Sequence, residues 1–456
     1  MRLVMGFLCV AACGVDAGKD VDLHDALAAR GFAIGDGSAF AFGIDDCAHL
    51  PDCFESDETG SYLLFALPPA PGGTLPAPEP GAIDVHPPLP GESVTWQLGA
   101  NEAVLIAGRM PPAARYFSVA PYLFDRQAGA TRTTVLASVA DATNNASMGD
   151  GAFDTDGAFL IVADRGVEAR AREALAGAGW APDAIHTIVM SPELVHVGVD
   201  AAADTVTAVG RVALFDDPNA GAAYLTDVPL QVLRLTAPGD AADPFPAPPR
   251  LLRVSATDER ALAPAVTALG QAIETSLGSA PHAELAIADY PTTTAQTTPR
   301  SCIGTLASCR GDTSDSVYAT VPLDGAHMLS DDPHDYFIVY GVNHEAAGLA
   351  TYSNVVVTSS AWPAALASVE SPYMAGGADR YLPDHPDRDK LFAFKVSRAC
   401  GYEPGCLEVG SGFLGLPLDA SYAFLFRAYL APGSTVSPDP AALLTEHVIH
   451  VLPPPP

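Results

Sequence analysis

A glycine or a proline interrupts this chain about once in every six residues: the two supply 40 and 41 of its 456 positions. Proline removes a backbone donor and clashes with the preceding helical turn, and glycine costs a helix about 1 kcal/mol. Segments are therefore expected to be short and loops numerous, a profile that favours strands over long helices. With 48% of residues apolar, the chain can still bury large cores. The expected strands are 61–67, 93–98, 102–108, 115–124, 131–139, 316–323, 336–343, 350–359, 390–398 and 421–430, each rich in aromatic and β-branched residues.

Helical patterning is confined to a few windows. One is 20–30, DVDLHDALAAR. Another is 257–278, with Thr257 as the expected N-cap, Gly278 at its end, and Leu262, Val266, Leu269 and Ile273 forming an apolar stripe. From 158 to 235 the pattern alternates as strand, helix, strand, strand, short helix, strand, the order of a ferredoxin-like βαββαβ unit. The fold class expected is α+β and strand-dominated, in two domains. Residues 14–237 form an N-terminal β-rich domain that includes the βαββαβ segment. Residues 238–250, PGDAADPFPAPPR, read as a linker, 251–452 as a C-terminal α+β domain, and 453–456 as a proline tail.

The first 13 residues carry one charge, Arg2, and then an apolar or small run over 3–12. That run is too short for a membrane span but suits a secretion signal. It ends in Val10-Ala11-Ala12-Cys13-Gly14, which resembles the lipobox of bacterial lipoproteins and makes Cys13 the expected lipidated residue. The expected location is thus outside the cytoplasm, at the cell surface, outer membrane or periplasm. Six further cysteines fall as close pairs, Cys47/Cys53, Cys302/Cys309 and Cys400/Cys406. Local disulfides are the simplest pairing in an oxidising compartment. Clustered CxxC spacing, which a zinc site would require, is absent.

The formal net charge is −31. Nucleic acid and anionic membrane surfaces are excluded as partners on that ground, since phosphate recognition needs a basic face. Membrane contact is expected through the lipid anchor alone. No cofactor is expected; the acidic loop could bind Ca²⁺ through Asp45, Asp46, Asp52 and Glu55.

Signatures of common enzymes are missing: there is no G-x-S-x-G, H-E-x-x-H, Walker A or EF-hand loop. The string Gly410-Ser411-Gly412-Phe413-Leu414-Gly415 follows no strand of a βαβ unit and reads as a glycine-rich loop. The polar residues of interest concentrate in 310–357. Asn343, His344 and Glu345 stand together at a strand end, an amide, an imidazole and a carboxylate suited to binding or acid–base work, with Asp312 nearby in sequence. His344 with Glu345 could also seed a metal site, although neighbouring strand residues face opposite ways. Two arginines sit inside apolar strands, Arg115 in RYFSVAPYLF and Arg427 in LFRAYL, where Tyr429 shares a face with Arg427. A buried arginine demands a carboxylate or a ligand anion.

RYFSVAPYLF, RGDTSDSVYATVPLD and LFRAYLAPGSTVSPDP resemble stretches of exported bacterial proteins with tandem domains of unknown function. Gly311 precedes Asp312 where those proteins carry Asn, and Ser314 and Asp315 intervene before Tyr318. The resemblance implies export and a β-rich architecture and brings no mechanism. The function expected is an exported, lipid-anchored protein that binds a ligand or an envelope partner without catalysis. The rivals are a secreted hydrolase-like enzyme using His344, Glu345 or Asp312, and a structural envelope protein.

Overall fold

Strands that are apolar on both faces set the architecture. The computed structural model describes residues 17–42, 60–73, 90–253, 255–285, 299–323, 328–359, 365–401, 403–410 and 422–454. The first half contains α1 (Ala17–Ala29), β1 (Ala33–Phe42), β2 (Gly60–Ala66), β3 (Glu102–Arg109), β4 (Ala114–Ala128), β5 (Thr131–Ser138) and β6 (Thr143–Asn144). It continues through α2 (Asn145–Met148), β7 (Asp156–Val162), α3 (Arg165–Gly177), β8 (Ile185–Val189), β9 (Thr205–Phe215), α4 (Pro218–Thr226) and β10 (Leu230–Thr236). The strands hydrogen-bond in the order β5-β4-β9-β2-β1-β10-β3-β7-β8, with β6 on β4.

In β3, Val104 and Ile106 enter one core while Ala103, Leu105 and Ala107 enter another; β7 divides the same way into Phe159, Ile161 and Ala158, Leu160, Val162. A strand covered on both faces has no polar alternation, which is why these segments read as continuous apolar runs. The second of these cores is closed by α1, through Leu23 and Leu27, and by α3, through Val167, Ala171, Ala174 and Leu175. Asp164 caps α3 by accepting from the Gly166 and Val167 amides. The first core is closed by β2, β4 and β9, whose Leu63, Phe65, Phe117, Val119, Val206 and Val212 pack against it. The strand path therefore folds back on itself, and β1 makes the corner: residues 33–37 pair with β10, and 38–42 pair with β2.

The second half repeats the layering. It contains α5 (Ala263–Leu277), β11 (His282–Leu285), α6 (Pro299–Thr305), β12 (Ser316–Leu323), β13 (Tyr336–Val342), β14 (Tyr352–Ser359), β15 (Ala365–Glu370), α7 (Ser371–Met374), β16 (Leu391–Ser397), β17 (Cys406–Glu408), β18 (Tyr422–Tyr429) and β19 (His447–Val451). An outer sheet runs β11-β19-β13-β16-β17 and an inner one β12-β18-β14-β15. Ile338, Tyr340 and Ile449 of the outer sheet meet the α5 stripe of Val266, Leu269 and Ile273. Phe337, Val339 and Phe394 on its other face meet Val317, Phe424 and Phe426 of the inner sheet.

The chain is strand-dominated, as expected, but three local expectations change. The succession of elements over 158–235 is as read, yet the strands form no single ferredoxin-like sheet. β7 and β8 pair with each other in parallel, β9 pairs with β4 and β2, and β10 pairs with β1 and β3. Strands distant in sequence offer longer ladders and apolar partners on both faces, so local pairing loses. The helix expected at 257 starts as an α-helix only at Ala263, after a 3₁₀ turn at Arg260–Leu262. Pro264 is tolerated in a first turn and would break a helix begun earlier. Gly278 ends it in the left-handed region, at φ +60°. Segment 93–98 makes only isolated bridges, at Ser93 and Trp96.

The halves are strapped together twice. Residues 238–250 run along the first half: the Phe245 amide donates to Ala163 O at 2.9 Å, and Arg250 pairs with Asp141 at 2.9 Å. Later, residues 299–313 cross back. Cys302 and Ile303 of α6 are buried in the first half's core, and the Cys309 and Gly311 amides donate to Val135 and Leu136 O. A disulfide joins Cys302 to Cys309 in this returning segment, and a second joins Cys400 to Cys406. Cys13, Cys47 and Cys53, and the acidic loop with Asp45, Asp46, Asp52 and Glu55, lie outside the described residues.

At the β1 corner, a Cβ on Gly37 would lie 2.2 Å from Ala66 O. Gly37→Ala should cost about 1–3 kcal/mol, the usual penalty for forced overpacking. Urea unfolding of both proteins measures it; a variant as stable as the parent would mean that the corner does not need a glycine.

Candidate functional site

The two inner layers face each other. On β9, alternation sends Val206, Ala208 and Val212 into the core and Thr207, Val209, Arg211 and Ala213 outward. On β18 it sends Phe424, Phe426 and Ala428 inward and Leu425, Arg427 and Tyr429 outward. These outward faces enclose a cavity of about 400 Å³, within the size range of small-molecule sites.

Arg211 stands at the centre of one wall. The register places Ser118 of β4 beside it on one side and Tyr62 of β2 on the other. Its guanidinium lies 5.6 Å from the Tyr62 ring centroid and 5.4 Å from that of Tyr122, so it is held between two aromatic faces. Arg211 Nη2 donates to Gly311 O at 3.3 Å. Its Nη1 is buried and has no hydrogen-bond partner among the described residues. On the opposite wall, Arg427 lies 5.9 Å from the Tyr318 ring centroid. Burial pushes the Tyr318 hydroxyl's pKa up, and the Arg211 and Arg427 charges pull it back. Arg253, whose Nη2 donates to Thr313 O and Ser316 O at 3.0 Å, and Arg310 also line the space. Four arginines therefore face one lining carboxylate, Asp312, in a chain whose formal charge is −31.

The acids at this junction are already engaged. Asp312 accepts from the Ser138 amide at 2.9 Å and the Ser138 hydroxyl at 2.6 Å. Burial raises its pKa against those donors and the nearby Arg250 and Arg211. Asp315 is fully buried; desolvation raises it to about 6, opposed chiefly by the Tyr116 hydroxyl. That hydroxyl lies 2.8 Å from both Asp315 Oδ2 and Ser118 Oγ, so it donates to the carboxylate and accepts from the serine. Burial, with Asp315 beside it, holds the Tyr116 pKa high. The Tyr116 ring packs 4.8 Å from Tyr429, which stacks 5.0 Å from Tyr352, and this aromatic column closes one flank of the cavity.

Of the residues singled out from the sequence, the structure brings Asp312, Arg427 and Tyr429 to this cavity. Arg115, one step along β4 from Tyr116, points elsewhere and pairs with Glu345 at 3.2 Å. Glu345 also accepts from the Ser371 hydroxyl, and Asn343 donates to Ser371 O at 2.8 Å. His344 is 1% exposed and outside the cavity lining. Its Nδ1 lies 2.7 Å from Glu259 Oε1 and its Nε2 3.0 Å from Glu446 Oε1. Both ring nitrogens face carboxylates, so both donate, which only the imidazolium can do. Burial alone would push its pKa down; Glu259 and Glu446 overcome that and lift it to about 10.

Arg211 and Arg253 were missed. The signal for Arg211 was the one that marked Arg427: a lone arginine interrupting an apolar strand, TVTAVGRVALF. Arg253 lies just past the Pro-rich segment 238–250 and carries no periodic signal. Among the described residues, no group of three or more His, Cys, Asp or Glu is placed to hold a metal ion, and no helix is long and apolar enough to cross a membrane.

No protein-family model matches the chain, and no curated protein does. Among solved structures it is similar to the VPA0106 protein from Vibrio parahaemolyticus (TM-score 0.40, 15% identity, covering 79% of this chain and 87% of that one). It is also similar to an uncharacterized protein from Burkholderia cenocepacia (TM-score 0.38, 11% identity, covering 95% and 86%). Both neighbours are uncharacterised bacterial proteins.

The His344 clamp makes stability depend on pH. The folded pKa of about 10 stands above the ordinary 6.5. The stabilisation is therefore complete below about pH 6.5 and is lost as pH rises through about 10. Unfolding free energy measured across that window should fall. His344→Gln should lower stability at neutral pH and flatten the fall; an equal slope in the variant would assign it to other groups.

Proposed function

We propose that this chain is a binding protein for an anionic ligand held in the cavity between the inner sheets, with Arg211 and Arg427 as the principal contacts. The observation that carries the reading is Arg211 Nη1, a buried, charged donor at the cavity without a hydrogen-bond partner among the described residues. An unmet donor of this kind costs about 1–3 kcal/mol or more if charged, and a bound anion would recover it. Arginine's fixed fork suits a carboxylate, sulfonate or phosphate oxygen pair. Tyr62, Tyr122 and Tyr318 add aromatic edges and faces around the head group. The acid–base reading of His344 finds less support, because the imidazole is enclosed by Glu259 and Glu446 and has no open face.

We further propose that the protein works at the cell surface, anchored by lipid on Cys13. The support is the signal-like run over 3–12 ending at that cysteine, together with two local disulfides, which persist in oxidising compartments.

Two experiments test these readings. Titration calorimetry of the full chain against small carboxylates, sulfonates and phosphates should give saturable binding. Arg211→Gln should weaken it about 10- to 100-fold, the value of one charge-assisted hydrogen bond. Equal affinity in the variant would remove Arg211 from the site, and no binding by any anion would remove the reading. Separately, Cys13→Ser should abolish fatty-acid labelling and release the protein from the membrane fraction; labelling that survives the substitution overturns the anchor.

A further inference from the structure

Away from the arginines, the cavity changes character. Two residues along β9 from Arg211 stands Val209, paired by register with Leu64 of β2; two residues along β18 from Arg427 stands Leu425, paired with Thr320 of β12. Val94 and Phe124 also line the space. Thr207, a polar residue on this wall, already donates its hydroxyl to Val94 O at 2.8 Å. Thr320 is exposed, so the cavity meets solvent beside Leu425. The opposite flank is closed by the Tyr116–Tyr429–Tyr352 column. The cavity thus has a basic centre and an apolar wall leading outward from it. A small hydrated anion would satisfy the centre and leave that wall wetted. A saccharide acid would set hydroxyls against Leu64, Val94, Val209 and Leu425, which offer no hydrogen bonds, although Ser61, Thr95 and Thr320 also line the space.

We propose that the ligand is an amphiphilic organic anion, its charged head at Arg211 and Arg427 and its hydrocarbon body against Leu64, Val94, Val209 and Leu425. This rests on the reading of the cavity as an anion site and adds the nature of the rest of the molecule. The chain would then act as a carrier or sensor for an acid too apolar to travel freely in water.

The test uses the full wild-type chain and a ligand series in calorimetry: acetate, hexanoate and decanoate; decanol as the neutral counterpart; inorganic phosphate; and galacturonate. Affinity should rise by about 4-fold for each methylene that enters the wall, the value of one buried CH₂. Decanol should bind at least about 10-fold more weakly than decanoate, having no charge for the arginines. Phosphate or galacturonate binding as tightly as decanoate would overturn the amphiphile and leave the anion site standing. Decanol equal to decanoate, or no binding by any member, would overturn both.

Discussion

Each outer sheet is apolar on both faces, and that one demand organises the molecule. A sheet of this kind needs two covers, and here a helical layer supplies one and an inner sheet the other. The inner sheets are then half-covered, with alternate residues of β4, β9, β12 and β18 left facing away from their own cores. Burying an entire second face would need another layer in each half. The halves use each other instead. The meeting is not flush, because Arg211, Arg427 and their tyrosines are too large and too polar to interdigitate as aliphatic side chains do. The cavity is the space left where two incompletely apolar faces are brought together.

Much of the architecture was legible because period-two alternation and continuous apolar runs are strong signals. The strands at 102–109, 114–128, 205–215, 336–342 and 391–397 all come from segments of that kind. Six strands escaped, β1, β6, β11, β15, β17 and β19, and of these AIGDGSAFAF, β1, is the one that turns the corner. Its glycines weaken the pattern for the reason that makes them necessary: Gly37 leaves room for the Ala66 carbonyl where β1 changes partners. Pairing was not legible at all over 158–235, since element order is local information and sheet order is not. For the site, a lone arginine in an apolar strand marked Arg427, and the same signal is present at Arg211; both line the cavity. At His344 the residue types were noticed, but its partners, Glu259 and Glu446, lie 85 and 102 residues away. Nothing in a local motif separates a clamped imidazolium from a catalytic one.

Buried charge is handled in two ways in the same molecule. In the second half, His344 is matched by two carboxylates, and in the first half Arg234 and Glu102 pair at 2.9 Å with both side chains almost fully buried. Such charges are costly to leave alone and are kept together by good geometry. At the cavity the arrangement differs. Arg211 is held between two rings, and Asp312 and Asp315 feel its charge without forming an ion pair with it among the described residues. The formal charge of −31 and the cluster of arginines at the cavity thus have opposite signs in one molecule.

The returning segment 299–313 carries a consequence for how the protein is made. Cys302 and Ile303 complete the first half's core, and the 309 and 311 amides complete the edge of β5. A chain delivered from its amino end presents all ten strands of that half while this edge still lacks its cover. The Val135 and Leu136 carbonyls have both met these partners only once more than sixty residues beyond residue 250 have emerged. The protein reaches its final state as one interlocked body, in which the second half supplies the last piece of the first.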